Sequence, residues 1–296
     1  MRRSTRWVGA VRRWEFSLLV AAWAALGCAR PAAPLPPSPP PAVSTASSPA
    51  SPFEREAEPA NACPKAMVSI PSGTLWLGSP AGRGEANERP EAKVDIGEYC
   101  LSQREVSVAQ YQACASNKAC EALATEVRLL SPLPEAEHKA QSAHCSANLT
   151  DNADLPASCV SFEDASRYCA WKGLRLPTEA EWEWAATGGD DKLAWPWGNA
   201  LPSDENTCWN RRSPCRVGSR AAGAFGLHDL AGGVSEWTNS AYGPYGGTAN
   251  DPKAKVVRGG SWESVKPDAL RPEKRASMPA GYRDVTLGFR CAKDRR

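Results

Sequence analysis

Histidine is nearly absent from this chain, with three in 296 residues. That scarcity excludes chemistry built on an imidazole cluster, such as a multi-histidine iron centre, and leaves few candidates for a histidine base. Charge of one sign is also lacking. Lys and Arg number 35 against 33 Asp and Glu, for a formal charge of +2, so the basic footprint of a nucleic-acid binder is missing and no nucleic-acid partner is expected. No apolar run is long enough to cross a bilayer comfortably, and no repeat of solenoid or propeller period is present. Eleven cysteines occur, yet none stands at the CxxC or CxxxC spacing of a metal knuckle.

What is present points outward from the cytosol. Eleven cysteines would be hard to keep reduced and idle, and oxidation in an exported setting is the simpler account. Twelve Trp against five Phe and six Tyr suggest a loop-rich interior held by large flat side chains. At 42% hydrophobic and 23% charged residues the composition is that of an ordinary globular protein, with room for one or two domains.

The first 28 residues have the anatomy of a secretory signal. Arg2, Arg3, Arg6, Arg12 and Arg13 precede an apolar run over 16–26 that ends in Ala25-Leu26-Gly27-Cys28. Gly27 before Cys28 resembles a bacterial lipobox, which implies lipidation of Cys28 and anchoring to the membrane of the cell envelope; plain secretion is the alternative. Residues 29–61 are rich in Pro, Ala and Ser and poor in large apolar residues. They are expected to remain a disordered, extended tether of roughly 3 Å per residue. The globular domain is therefore expected over 62–296.

Within that domain ten cysteines remain, an even number that suits complete pairing. Cys114 and Cys120 are close in sequence, as are Cys208 and Cys215, and each pair is placed to staple a local loop. Helices are signalled after Ser107 and Thr178, each followed three residues later by Gln110 or Glu181 in a capping-box arrangement, and after Ser161, whose helix Gly173 would end. Glu179, Glu181 and Glu183 are expected to serve as cap and solvated surface rather than as acid–base groups. Short strand-like runs at 67–70, 74–77, 256–258 and 287–291 complete an α+β reading with much irregular structure.

The order of segments resembles a known family. Met67-Val68-Ser69-Ile70-Pro71-Ser72-Gly73, Glu105-Val106-Ser107, Arg175-Leu176-Pro177-Thr178-Glu179-Ala180-Glu181-Trp182-Glu183, Pro196-Trp197-Gly198-Asn199, Arg258-Gly259-Gly260-Ser261-Trp262 and Gly288-Phe289-Arg290-Cys291 run in the order of the formylglycine-generating enzyme, or sulfatase-modifying factor, family. The resemblance covers most of 66–293. It implies a single, loop-rich α+β domain related to C-type lectins, and a disulfide between Cys169 and Cys291. Shared fold does not settle chemistry.

In the formylglycine-generating members two cysteines after the GGS-aromatic motif bind copper(I) and oxidise a substrate cysteine. Ser264 and Ala269 stand at those positions here, so copper is not expected as a cofactor and the family's oxidase activity is expected to be absent. The resemblance further implies a calcium site at Asp229, Gly232, Val234 and Glu236, two carboxylates and two carbonyls of the hard kind that calcium prefers. The competing reading of these residues is a turn cap at Asp229 and a buried ion pair at Glu236. Ser235 and Gly233 replace the tryptophan and asparagine usual in that loop. His138 and His144 fall in an inserted polar segment between 129 and 159, read as surface rather than as a metal site. The expected function is a non-catalytic or altered family member presenting a rigid surface at the cell envelope to a protein, peptide or glycan. The rival is an oxidoreductase of the formylglycine-generating type or a related maturation enzyme.

Overall fold

The computed structural model describes residues 62–248 and 251–295; the expected signal, tether and Cys28 lie outside them. Among the described residues nine strands and four α-helices form a mixed, loop-rich α+β domain. Strand β1 (Met67–Ile70), β4 (Tyr99–Ser102) and β9 (Ala292–Asp294) make an antiparallel sheet in the order β1-β4-β9. Strands β2 (Gly73–Leu77) and β3 (Ala92–Ile96) pair as a ribbon. The largest sheet runs β7-β6-β5-β8, from β5 (Ser235–Ala241), β6 (Ala254–Arg258), β7 (Arg275–Pro279) and β8 (Leu287–Gly288).

Helices α1 (Val108–Ser116), α3 (Phe162–Trp171) and α4 (Glu179–Ala186) each start with both halves of a capping box, at Ser107, Ser161 and Thr178. The reciprocal bonds satisfy two amides that a helix start otherwise leaves orphaned. Gly173 follows α3 at φ 69°, the left-handed geometry expected after a helix end. Two sequence expectations need correction. The run 287–291 is broken, because after two strand residues Phe289, Arg290 and Cys291 turn inward and pairing resumes only at Ala292. The inserted segment is also not merely a polar loop. It forms α2 (Glu135–Ser142), which has no side-chain cap and few buried residues.

The core is aromatic. Tyr111 of α1 stacks on Tyr168 of α3 at 5.8 Å, and Phe289 sets its ring edge-on to both. Three buried indoles find acceptors, while Trp262 Nε1 has none: Trp237 donates to the Val160 carbonyl, Trp184 to the Pro71 carbonyl and Trp182 to a Glu236 carboxylate oxygen. This is how large rings are buried without stranding their N–H groups. Disulfides join the loops to this core, linking Cys63–Cys100, Cys114–Cys120, Cys145–Cys159, Cys169–Cys291 and Cys208–Cys215. The Cys169–Cys291 bond ties α3 to the chain end across 122 residues. Among the described residues no helix is long and apolar enough to cross a membrane.

Candidate functional site

The loop leading into β5 carries the residues implied as calcium ligands. Its sharp course rests on Asp229, Gly232 and Gly233, all at positive φ. Gly232 N–H donates to the Gly259 carbonyl and Gly233 N–H to the Cys208 carbonyl, so the loop is fastened both to the GGS turn and to the base of the Cys208–Cys215 staple. Val234 N–H donates to Glu105 Oε1 at 2.7 Å. A side chain at 233 would overlap that carboxylate, which is why glycine suits the position.

The structure gives the two carboxylates among the four implied ligands partners of their own. Glu236, on β5, lies against Arg290: Oε1 accepts from Arg290 Nε at 2.9 Å and Nη2 at 2.7 Å, and Oε2 accepts from Arg290 Nε at 2.8 Å and Trp182 Nε1 at 2.8 Å. The carboxylate thus takes three N–H donors, with the Arg290 Nε–H shared between its two oxygens. Both side chains are essentially unexposed. Asp229 accepts from Gly218 N–H at 2.6 Å. Both carboxylates of the implied set are thus already partnered within the protein, Glu236 by Arg290 and Trp182 and Asp229 by the Gly218 amide. Among the described residues no three His, Cys, Asp or Glu side chains are grouped to hold a metal. The buried ion pair is the reading that the geometry supports.

Burial drives the titration of the neighbouring acids. Glu105 is held well above the usual carboxylate range by desolvation, with the Asp229 and Glu236 charges adding to the effect. Asp229 is raised by the same cause, against the pull of the Gly218 amide and Arg290.

Ser264 and Ala269 lie side by side at the GGS turn. A Cβ built on Gly260 would meet the Ala269 carbonyl oxygen at 2.5 Å and Ser264 Oγ at 3.1 Å. Ser264 Oγ accepts from Ser261 N–H at 3.0 Å, and Ser235 Oγ donates to the Gly260 carbonyl at 2.9 Å. The hydroxyls thus close the turn upon itself. Ala269 sits in the short turn Pro267–Leu270 and presents only a methyl group. All ten cysteines of the described domain are in disulfides, so no thiolate is available near this turn or elsewhere among the described residues.

Sequence reasoning missed a buried charge network. Glu179 and Glu183 are not solvated surface: Arg258 bridges them, with Nη2 at 2.5 Å from Glu179 Oε1 and Nη1 at 2.8 Å from Glu183 Oε2. Arg275 also reaches Glu179 at 2.8 Å. Residues four apart share a helix face, and that spacing was the available signal. Glu181 alone behaves as expected, closing the capping box and pairing with Arg175 at 2.6 Å. Burial pushes Glu183 up to about 7, although Arg258 and the Gly78 amide oppose it. In the inserted segment, His138 Nε2 lies 3.1 Å from the Val127 carbonyl oxygen, and His144 is close enough to Glu263 to lower its burial-raised titration.

Comparison with known proteins agrees with this architecture. The chain is 29% identical over 270 residues to a protein of Mus musculus called inactive C-alpha-formylglycine-generating enzyme 2, covering 77% of this chain and 85% of that one. It is 30% identical over 288 residues to the formylglycine-generating enzyme of Thermomonospora curvata, covering 78% and 94%. The solved structure of PvdO from Pseudomonas aeruginosa superposes with a TM-score of 0.61 at 21% identity, over 77% of this chain and 94% of that one. Residues 53–295 match the sulfatase-modifying factor enzyme 1-like domain, and the chain belongs to that family.

Proposed function

We propose that this chain is a non-catalytic member of its family, exported and lipid-anchored through Cys28, which binds a protein, peptide or glycan at the cell envelope. The observation that carries the reading is the pair Ser264 and Ala269 in a domain whose cysteines are all oxidised. Copper(I) needs soft ligands, and a hydroxyl already closing a turn beside a methyl group supplies none. Five disulfides support export, since such bonds persist in oxidising compartments. Dense cross-linking and an ion-paired interior suit a rigid display surface.

A copper(I) titration of the purified chain, competed against a thiolate-type chelator, tests the reading. No competition is expected. Tight, stoichiometric copper binding would instead support an oxidoreductase or maturation enzyme.

A further inference from the structure

A cavity that includes neither Ser264 nor Ala269 has a charge pattern of its own. It encloses about 520 Å³ between the start of the domain, the end of α3 and strand β9, and Lys65, Arg104, Lys172 and Lys293 line it. All four are exposed. Other cations of the domain, such as Arg175, Arg258, Arg275 and Arg290, each close an ion pair. None of the four lining cations does so among the described residues. Arg104 feels Asp229 only at a distance, and Lys172 rests over the Trp171 ring at 5.1 Å, which leaves its ammonium donors free.

The acid in the lining does not cancel this charge. Glu105 is buried, its Oε1 accepts from Val234 N–H, and desolvation with Asp229 and Glu236 nearby raises its titration well above the usual carboxylate range, which disfavours its charge. Gln110 also lines the cavity and spends its side-chain oxygen on Ser107 N–H, leaving its amide group as a donor. The cavity therefore gathers four exposed cations and a neutral donor around a single, buried acid. Unpaired like charges facing one hollow repel one another, and a multiply charged anion relieves that repulsion. Lysine serves as a point charge for phosphate and arginine as a planar fork for it.

We propose that this cavity binds a compact polyanion of the phosphate or diphosphate type, held by Lys65, Arg104, Lys172 and Lys293. The proposal goes beyond the non-catalytic reading and does not depend on it. The phosphate can be free or can head a lipid, since the same cations recognise both.

The test uses the full-length Cys28→Ser chain, so that a lipid anchor does not itself hold vesicles. Calorimetry with inorganic pyrophosphate is expected to show binding that weakens by about tenfold in Lys65→Gln/Lys293→Gln, because two of the four cations are removed. Lys192→Gln, at an exposed lysine outside the cavity, is expected to change nothing. Unaltered melting of the double variant guards against misfolding. In a parallel arm the chain is floated with vesicles of phosphatidylglycerol or of phosphatidylcholine. Retention only on phosphatidylglycerol, displaced by pyrophosphate and lost in the double variant, identifies a lipid headgroup; pyrophosphate binding without retention identifies a free anion. Failure to bind either probe, or binding indifferent to the double substitution, overturns the proposal.

Discussion

Arg290 and Glu236 face each other across the domain interior as a fully buried ion pair, with Nη2 to Oε1 at 2.7 Å. The guanidinium also donates to the Ser102 and His228 carbonyls, and Trp182 closes the remaining carboxylate position. This pair binds three regions of the chain: β5, the chain end and α4. It also occupies the charge that a cation would otherwise satisfy.

Removing one partner should therefore be costly, because it leaves the other charge buried and uncompensated. Arg290→Met or Glu236→Gln is expected to destabilise the domain by about 3–5 kcal/mol. Chelation of calcium should leave the melting temperature of the wild-type chain unchanged. A chelator-induced fall in melting temperature, restored by added calcium, would contradict the ion-pair account.

Glu183 predicts a pH dependence of definite sign. Its folded value, about 7, lies above that of the unfolded chain. Between the two values the folded chain holds a proton that the unfolded chain has released, so this group's contribution is complete at low pH and is lost as pH rises through about 7. Stability of the wild type relative to Glu183→Gln should decline from pH 4.5 to 7.5. The variant also loses the Arg258 ion pair, which shifts its level and leaves the slope to report on the proton. Parallel stability curves would contradict the assignment.

The disulfides should differ in weight. On the loop-entropy account, opening Cys169–Cys291 releases a loop of 122 residues and should cost about 5 kcal/mol. Opening Cys114–Cys120, with a separation of 6, should cost about 2 kcal/mol. Denaturant melts of the two double Cys→Ala variants compare them directly. Equal costs would show that strain or residual unfolded structure, rather than loop length, sets their contribution.

Local rules in the sequence announced much of this fold. The three capping boxes, Gly173 and strands β1 and β2 follow from patterns within a few residues, where local hydrogen bonding decides the structure. Glu236 and Arg290 are 54 residues apart in sequence, and Glu179 and Arg258 are 79 apart. Nothing local says that such charges will meet inside, so Glu179 and Glu183 read as surface and Glu236 as a metal ligand. The i,i+4 spacing of Glu179 and Glu183 showed a shared face, though not which way that face pointed. Helix α2 was missed because it lacks both a capping side chain and an apolar stripe.

The anchor is tested by fractionation. Cys28→Ser should move the protein from the detergent phase to the aqueous phase. Unchanged partitioning, or a mature N-terminus mapped downstream of Cys28, would contradict lipidation at that residue.

The most direct test of the central claim is turnover. The purified chain is incubated with copper, a reductant, oxygen and a sulfatase-type cysteine peptide, and the aldehyde product is sought by mass spectrometry. With Ser264 closing its own turn, Ala269 offering a methyl group and the described cysteines all in disulfides, no formylglycine should form. Copper binding should appear only in a Ser264→Cys/Ala269→Cys double variant. Aldehyde formed by the wild-type chain, and persisting in Ser264→Ala, would contradict the account.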